Sequence, residues 1–298
     1  MKDLVRQTTC PICGSGDRKQ LIRFDRYAVN LCKTCSLVYL DPRLSKSRIR
    51  ELYSRDYYTS GNALEKGYED YLGQQDDMTN TYRRLYRKIT PFLQNYDSVL
   101  DIGCGYGAFL SFLKETFRLT WGIDTSIEAC EKIRSQGLTA RYGDFEDMPI
   151  QDFPRFSLIL FTDLIEHIYD VRSFAVKVSR LSRPGTIVAL TTPDYNSVLR
   201  HLMGRNWVSY KIPEHVNYFT VRTIKQLFSP LGYEMVYSGS AGQYATPVFT
   251  AKRLSRVSGF LGTCLLKSAR LLSMEHSSLY FPNGNMLAVL KFRGQRKN

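Results

Sequence analysis

Residues 99–110 read Val-Leu-Asp-Ile-Gly-Cys-Gly-Tyr-Gly-Ala-Phe-Leu, and no other stretch of the chain restricts its fold so tightly. An apolar strand runs into Asp101, then into a turn with glycine at 103, 105 and 107, then into an amphipathic helix. Glycine at alternate positions after a strand lets backbone pass a ligand where a Cβ would clash. The helix that follows presents N–H groups without intrahelical partners to an anionic group. A second strand, Leu119–Ile123, closes on Asp124, 23 residues after Asp101. An acid at that spacing is placed to accept from ribose hydroxyls. The order strand, glycine turn, helix, strand, acid begins an open α/β sheet that holds an adenosine-type cofactor.

A dinucleotide site calls for G-x-G-x-x-G, whereas here the glycines read G-x-G-x-G with Asp101 ahead of them. This pattern resembles the first motif of class I S-adenosylmethionine-dependent methyltransferases. Further stretches follow in that family's order. Gly143-Asp144-Phe145-Glu146-Asp147-Met148-Pro149 is similar to the adenine-binding turn after the third strand. The run from Phe156 to His167 resembles the fourth strand and its exit, and that from Arg183 to Pro193 the turn into the fifth strand. The resemblance covers roughly the last 200 residues.

It implies a Rossmann-like sheet of seven mostly parallel strands, with an antiparallel last strand at Asn285–Phe292. It also implies that Asp101 and the turn Gly103–Gly107, with Cys104 and Gly105, hold the methionine moiety of S-adenosylmethionine. Asp124 takes the ribose, Asp144 and Phe145 the adenine, and Thr162 and Asp163 line the cleft at the strand ends. Acidic residues around that cleft suit a cationic sulfonium. Cys104 reads as a small residue in a tight turn.

The second strong signal is Cys10-Pro-Ile-Cys13 followed, after 18 residues, by Cys32-Lys-Thr-Cys35. Two such pairs supply four thiolates for tetrahedral zinc and leave no open position for catalysis. Leu21–Phe24 and Ala28–Leu31 read as short strands between them, giving a zinc ribbon. With no signal peptide ahead of the cysteines, disulfides are not expected and the chain reads as cytoplasmic. No run of 18 apolar residues occurs, so no transmembrane span is expected.

At 298 residues the chain has room for a small domain and one full α/β domain. The expected division is a ribbon over 1–45, a helical linker or lid over 46–95, and a catalytic domain over 96–298. Acceptor-side insertions fall at 194–219 and 240–284. Helices are expected over Ser45–Tyr58 and Leu64–Leu93, rich in tyrosines (Tyr53, Tyr57, Tyr58, Tyr68, Tyr71, Tyr82, Tyr86) that pack the ribbon or touch a ligand.

The net charge of +13 is unevenly spread. Residues 96–192 carry ten Lys/Arg against thirteen Asp/Glu, while residues 193–298 carry fourteen against four. Positive charge thus gathers where the acceptor side is built, which points to an acidic acceptor, nucleic acid or an anionic membrane. Residues 252–273 read as one amphipathic helix. Leu254, Val257, Leu261, Cys264, Leu265 and Leu272 share a face beside Lys252, Arg253, Arg256, Lys267 and Arg270. The pattern fits either a helix at the inner membrane surface or one packed on the core.

His215, in the insertion 194–219, titrates near neutrality and is a candidate general base. So is His167, with Glu166, just past the fourth strand. The structural alternatives are a Pro213-Glu214-His215 cap on the following helix, with Thr220 as N-cap, and a turn-fixing histidine at 167. The chain reads as an enzyme methylating, most simply on oxygen, a small, sugar or lipid-linked acceptor of cell-surface glycan or specialised metabolism. The alternative is an RNA methyltransferase that docks substrate through the ribbon and the basic C-terminal third.

Overall fold

The computed structural model describes residues 3–49, 51, 75–255, 259–274 and 277–295. The expected helix Ser45–Tyr58 lies outside them, apart from helical residues at 46–49 and 51; so do Tyr53, Tyr57, Tyr58, Tyr68 and Tyr71.

At the N-terminus, β1 (Leu4–Val5) pairs antiparallel with β5 (Arg43–Leu44), while β2 (Arg18–Phe24), β3 (Tyr27–Cys32) and β4 (Val38–Asp41) form an antiparallel meander. Each cysteine pair sits on a tight knuckle: Gly14 N–H donates to Cys10 O and Ser36 N–H to Cys32 O, both at 2.9 Å.

The chain re-enters at α1 (Gln75–Ile89) and builds the large sheet. Its elements are β6 (Ser98–Ile102), α2 (Ala108–Leu113), β7 (Leu119–Asp124), α3 (Ile127–Ser135), β8 (Thr139–Tyr142), β9 (Phe156–Thr162), α4 (Val171–Arg180) and β10 (Ser182–Pro193). There follow α5 (Val198–Met203), β11 (Asn217–Tyr218), α6 (Val221–Phe228), β12 (Tyr233–Ser240), β13 (Gln243–Ala245), α7 (Pro247–Ser255), α8 (Gly259–Leu271), β14 (Leu279–Phe281) and β15 (Asn285–Phe292).

The seven-stranded order is β12-β15-β10-β9-β6-β7-β8. Strands β6 to β10 run parallel, and β15 runs antiparallel between β10 and β12. Every residue of β6 is buried, as is β9 up to Thr162, because helices cover both faces of the sheet. The order reverses at β6, between β7 and β9, and ligands of open α/β sheets bind at such a point beyond the strand C-termini. Tyr82 and Tyr86 of α1 lie on Phe109 (ring centroids 4.5 Å apart) and Phe112, so these two tyrosines are packing residues.

Two features depart from the sequence expectation. The insertion 194–219 bridges the catalytic sheet and the N-terminal meander. Its β11 joins the N-terminal meander as a fourth strand, with Asn217 opposite Tyr39 and Tyr218 opposite Val38. The segment 252–273 is not one helix but the end of α7 followed by α8. A Cβ on Gly262 would lie 2.7 Å from Ala251 O, so glycine there permits the two helices to approach backbone to backbone. Ala251 and Ala269 are buried, whereas Cys264 and Leu272 are exposed, and the continuous stripe drawn on a single helix does not form. Arg256 and Val257 lie outside the described residues. Among those residues, no helix is long and apolar enough to cross a membrane.

Candidate active site

The cofactor side of the cleft is stitched together by its own backbone. Gly103 and Cys104 N–H both donate to Ile123 O, at 2.8 and 3.1 Å, tying the turn after β6 to the end of β7. Gly107 N-caps α2 at φ +75°, and a Cβ there would sit 2.6 Å from Ile133 Cγ1, so both conformation and space require glycine. The Cys104 side chain is buried against Gly122, and burial pushes its thiol well above the usual range, which leaves it unreactive.

Asp124 Oδ2 accepts from Gly105 N–H at 2.8 Å and Oδ1 from Ser126 N–H at 2.9 Å. Burial raises its pKa; these N–H donors work the other way. Asp101 is only 2% exposed, and its Oδ1 has no hydrogen-bond partner. Burial first, then the Asp124 charge, push its pKa up to about 8. A buried, unpartnered carboxylate oxygen calls for a donor, and a second acid beside it makes a cationic donor the best fit. The residues present therefore fit the ammonium and sulfonium charges of S-adenosylmethionine.

After β8, Asp144 Oδ1 accepts from Glu146 N–H at 2.9 Å. The Phe145 ring turns inward, edge-on to Phe174 at 5.3 Å, so its side chain belongs to the core.

At the end of β9, next to Thr162, Asp163 takes φ +50° and its Oδ1 accepts from Thr191 Oγ1 (3.1 Å) and Asn285 Nδ2 (2.9 Å). Three residues on, Glu166 is buried and its Oε2 accepts from Thr192 Oγ1 at 2.9 Å. Thr191, Thr192 and Asn285 were not anticipated from sequence. The available signal was hydroxyls at the C-terminal end of a parallel strand.

His167 and His215, 48 positions apart, meet edge to face with ring centroids 4.7 Å apart. Each presents Nδ1 to a carbonyl, His167 to Glu214 O (3.1 Å) and His215 to Ser209 O (2.8 Å). A carbonyl only accepts, so Nδ1 carries the proton in both rings and Nε2 keeps its lone pair. One ligand atom from each of Glu166, His167 and His215 lies within 4.8 Å of the others. Burial pushes Glu166 up to about 8, with the Asp163 charge adding to it. Burial, then Lys211, push His167 down to about 4; burial, then His167 and Lys211, lower His215. The three groups thus stand together uncharged near neutral pH, with His215 5% exposed and His167 less fully covered.

The N-terminal sheet holds this cluster from behind. Val216 N–H donates to Glu166 O (2.9 Å), while Leu40 N–H of β4 donates to Val216 O (3.0 Å). Asn217 Nδ2 donates to Ile168 O at 2.7 Å. Arg43 donates to Tyr169 O at 2.9 Å and stacks on that ring, and Tyr169 OH donates to Leu44 O.

In the cysteine cluster, Cys10 and Cys35 sulfurs are 3.3 Å apart, those of Cys13 and Cys32 3.5 Å, and all four lie within 4.8 Å of one another. These separations exceed a disulfide bond. They approach the edges of a tetrahedron with zinc–sulfur bonds of about 2.3 Å.

The sheet order and the glycine-turn cleft define a Rossmann-like fold of the class I methyltransferase type. The chain belongs to the methyltransferase-domain family, whose sequence profile matches residues 75–238. Over 140 residues it is 25% identical to a malonyl-[acyl-carrier protein] O-methyltransferase of Hamiltonella defensa, covering 46% of this chain and 53% of that protein. Over 120 residues it is 28% identical to a ubiquinone biosynthesis O-methyltransferase of Nitrobacter winogradskyi, covering 38% and 41%. The matches thus span about half the length of these curated relatives or less. Among solved structures, a chain of the Haloferax volcanii complex containing the Trm112 methyltransferase activator superposes with a TM-score of 0.56 at 16% identity, covering 76% of this chain and 93% of that one.

Proposed function

We propose that this chain is an S-adenosylmethionine-dependent methyltransferase acting on a hydroxyl of a small, sugar or lipid-linked acceptor. The unpartnered, buried Asp101 Oδ1 at the head of the glycine turn is the observation that carries the reading. Relatives that are O-methyltransferases support oxygen as the acceptor atom.

When bound, the cofactor supplies an electrophilic methyl group on a positively charged sulfur. Asp101 and the turn Gly103–Gly107 hold its methionine end. The lone pairs left on Asp124 accept from the ribose hydroxyls, and Asp144 with the backbone of its turn faces the adenine. Thr162 and Asp163 line the cleft between cofactor and acceptor.

His167 is the general base: its Nε2 takes the hydroxyl proton as the acceptor oxygen forms its bond to carbon. His215 packs against the ring and Glu214 O fixes its tautomer. Glu166, held by Thr192 Oγ1, stands beside the two imidazoles as a neutral polar neighbour. Zinc on Cys10, Cys13, Cys32 and Cys35 is structural. Bound there, it would brace the meander whose edge strand begins just after Val216, and with it the position of the Glu166–His215 wall.

The test is methyl transfer from radiolabelled S-adenosylmethionine into fractionated extract, with the double substitution Asp101→Ala, Gly103→Arg as the inactive control. Label in lipid, glycan or small-molecule fractions is the expected outcome. Label in a nuclease-sensitive fraction would replace the acceptor class with RNA, and no label above the control would overturn the enzyme reading.

A further inference from the structure

Away from the cofactor cleft, a pocket of about 570 Å³ opens between the β2–β3 turn and the segment 205–212. Its rim carries Arg23 and Arg26 from the turn and Arg205 from the insertion. None of the three guanidiniums has an ion-pair partner among the described residues; Asp25 is the lining acid. The walls are aromatic, and Phe24 meets Tyr210 across the seam at 5.2 Å between ring centroids. Trp207 also lines the pocket, is 2% exposed, and its indole N–H has no acceptor.

Three arginines facing one concavity match a polyanion with forked oxygens better than a single carboxylate. An orphan indole donor adds a site for one more oxygen, and rings below the rim take up an apolar or planar group. The pocket shares its wall with the active site. Trp207 and Tyr210 face the pocket, while Ser209 O between them holds His215 Nδ1.

We infer that this pocket binds the diphosphate of an acceptor carried on a nucleotide or a lipid, so that the hydroxyl to be methylated reaches the His167–His215 cluster. This rests on the proposed methyl transfer for its purpose but not for its test.

The full chain is titrated at low salt with inorganic pyrophosphate, following tryptophan fluorescence, with Trp207→Phe to assign the signal. Saturable quenching is expected at sub-millimolar pyrophosphate. Arg26→Ala and Arg205→Ala are each expected to weaken it about tenfold and leave cofactor affinity, measured by calorimetry, unchanged. A nucleoside diphosphate binding more tightly than a short alkyl diphosphate assigns the carrier as nucleotide; the reverse order assigns lipid. Pyrophosphate binding that ignores the arginine substitutions, or its absence at millimolar concentration, overturns the inference. So does an arginine-dependent affinity for an RNA oligonucleotide without one for pyrophosphate. Loss of cofactor binding alone would sink the methyltransferase reading while leaving the pocket assignment standing.

Discussion

The two walls of the cleft are built on opposite plans. The cofactor wall comes from one continuous stretch, Asp101 to Asp144, closed by bonds such as Gly105 N–H to Asp124 within 19 residues. The acceptor wall draws on β4, on residues 163–169 and on residues 192–218, joined by Val216 to Leu40 and Glu166. A local wall needs only its own turn to be right. The assembled wall depends on a sheet whose β3 and β4 are joined through the Cys32–Cys35 knuckle.

The sharpest division between the walls is expected from His167→Ala. Loss of the proposed base should lower kcat by about 10²–10⁴-fold while the cofactor Kd stays unchanged. In the parent enzyme the acid limb of kcat/KM should fall near pH 4, not near 6.5, because burial and Lys211 depress this imidazole. An equal fall in cofactor affinity would show the walls to be one unit.

Removing the proposed zinc with a chelator comes next. Displacing the meander by about 1 Å can cost 10²-fold in turnover, again without loss of cofactor affinity. Unimpaired turnover after verified metal loss would break the link drawn through Val216.

Asp101→Asn probes the local wall alone and should weaken cofactor binding about tenfold or more. It should also stabilise the free chain. The folded pKa of about 8 stands above the ordinary 3.8, so between those values the folded state holds a proton that the unfolded state lacks. Stability then declines as pH rises through this window, and asparagine removes the slope, raising the melting temperature by several degrees at pH 8. Cofactor affinity of the parent should correspondingly strengthen as pH rises toward 8. The smallest effect is expected from Arg43→Ala, which removes one hydrogen bond and one ring contact to Tyr169. A fall of about threefold in kcat with unchanged cofactor affinity would sharpen the comparison.

The same contrast decides what could be read from the residues. The glycine turn, the acid at 124 and the strands of the seven-stranded sheet are set by neighbours a few positions away, and they stand where the spacing put them. So does Thr220, whose hydroxyl caps α6 through Thr223 N–H. Asn217-Tyr218, by contrast, is a two-residue strand with no periodicity to announce it, and its partner is almost 180 positions distant. The meeting of His167 with His215 follows from that pairing, so both histidines could be nominated singly but not as a cluster. Phe145 shows another limit: its motif position is visible, yet the inward turn of its ring is decided by Phe174. The long apolar stripe of 252–273 misled because Gly262 permits a close approach of α8 to α7 that a single helical wheel does not represent.

The two hydrogen bonds of Val216, one to each unit, also bear on modularity. A two-residue strand shared between units means that a cut at residue 96 would free a catalytic domain with an unpaired edge at Asn217-Tyr218 and an unsupported Glu166 loop, and bare edges invite pairing with other chains. Exchanging the N-terminal module would keep the Glu166 loop supported only if residues 192–218 travel with it.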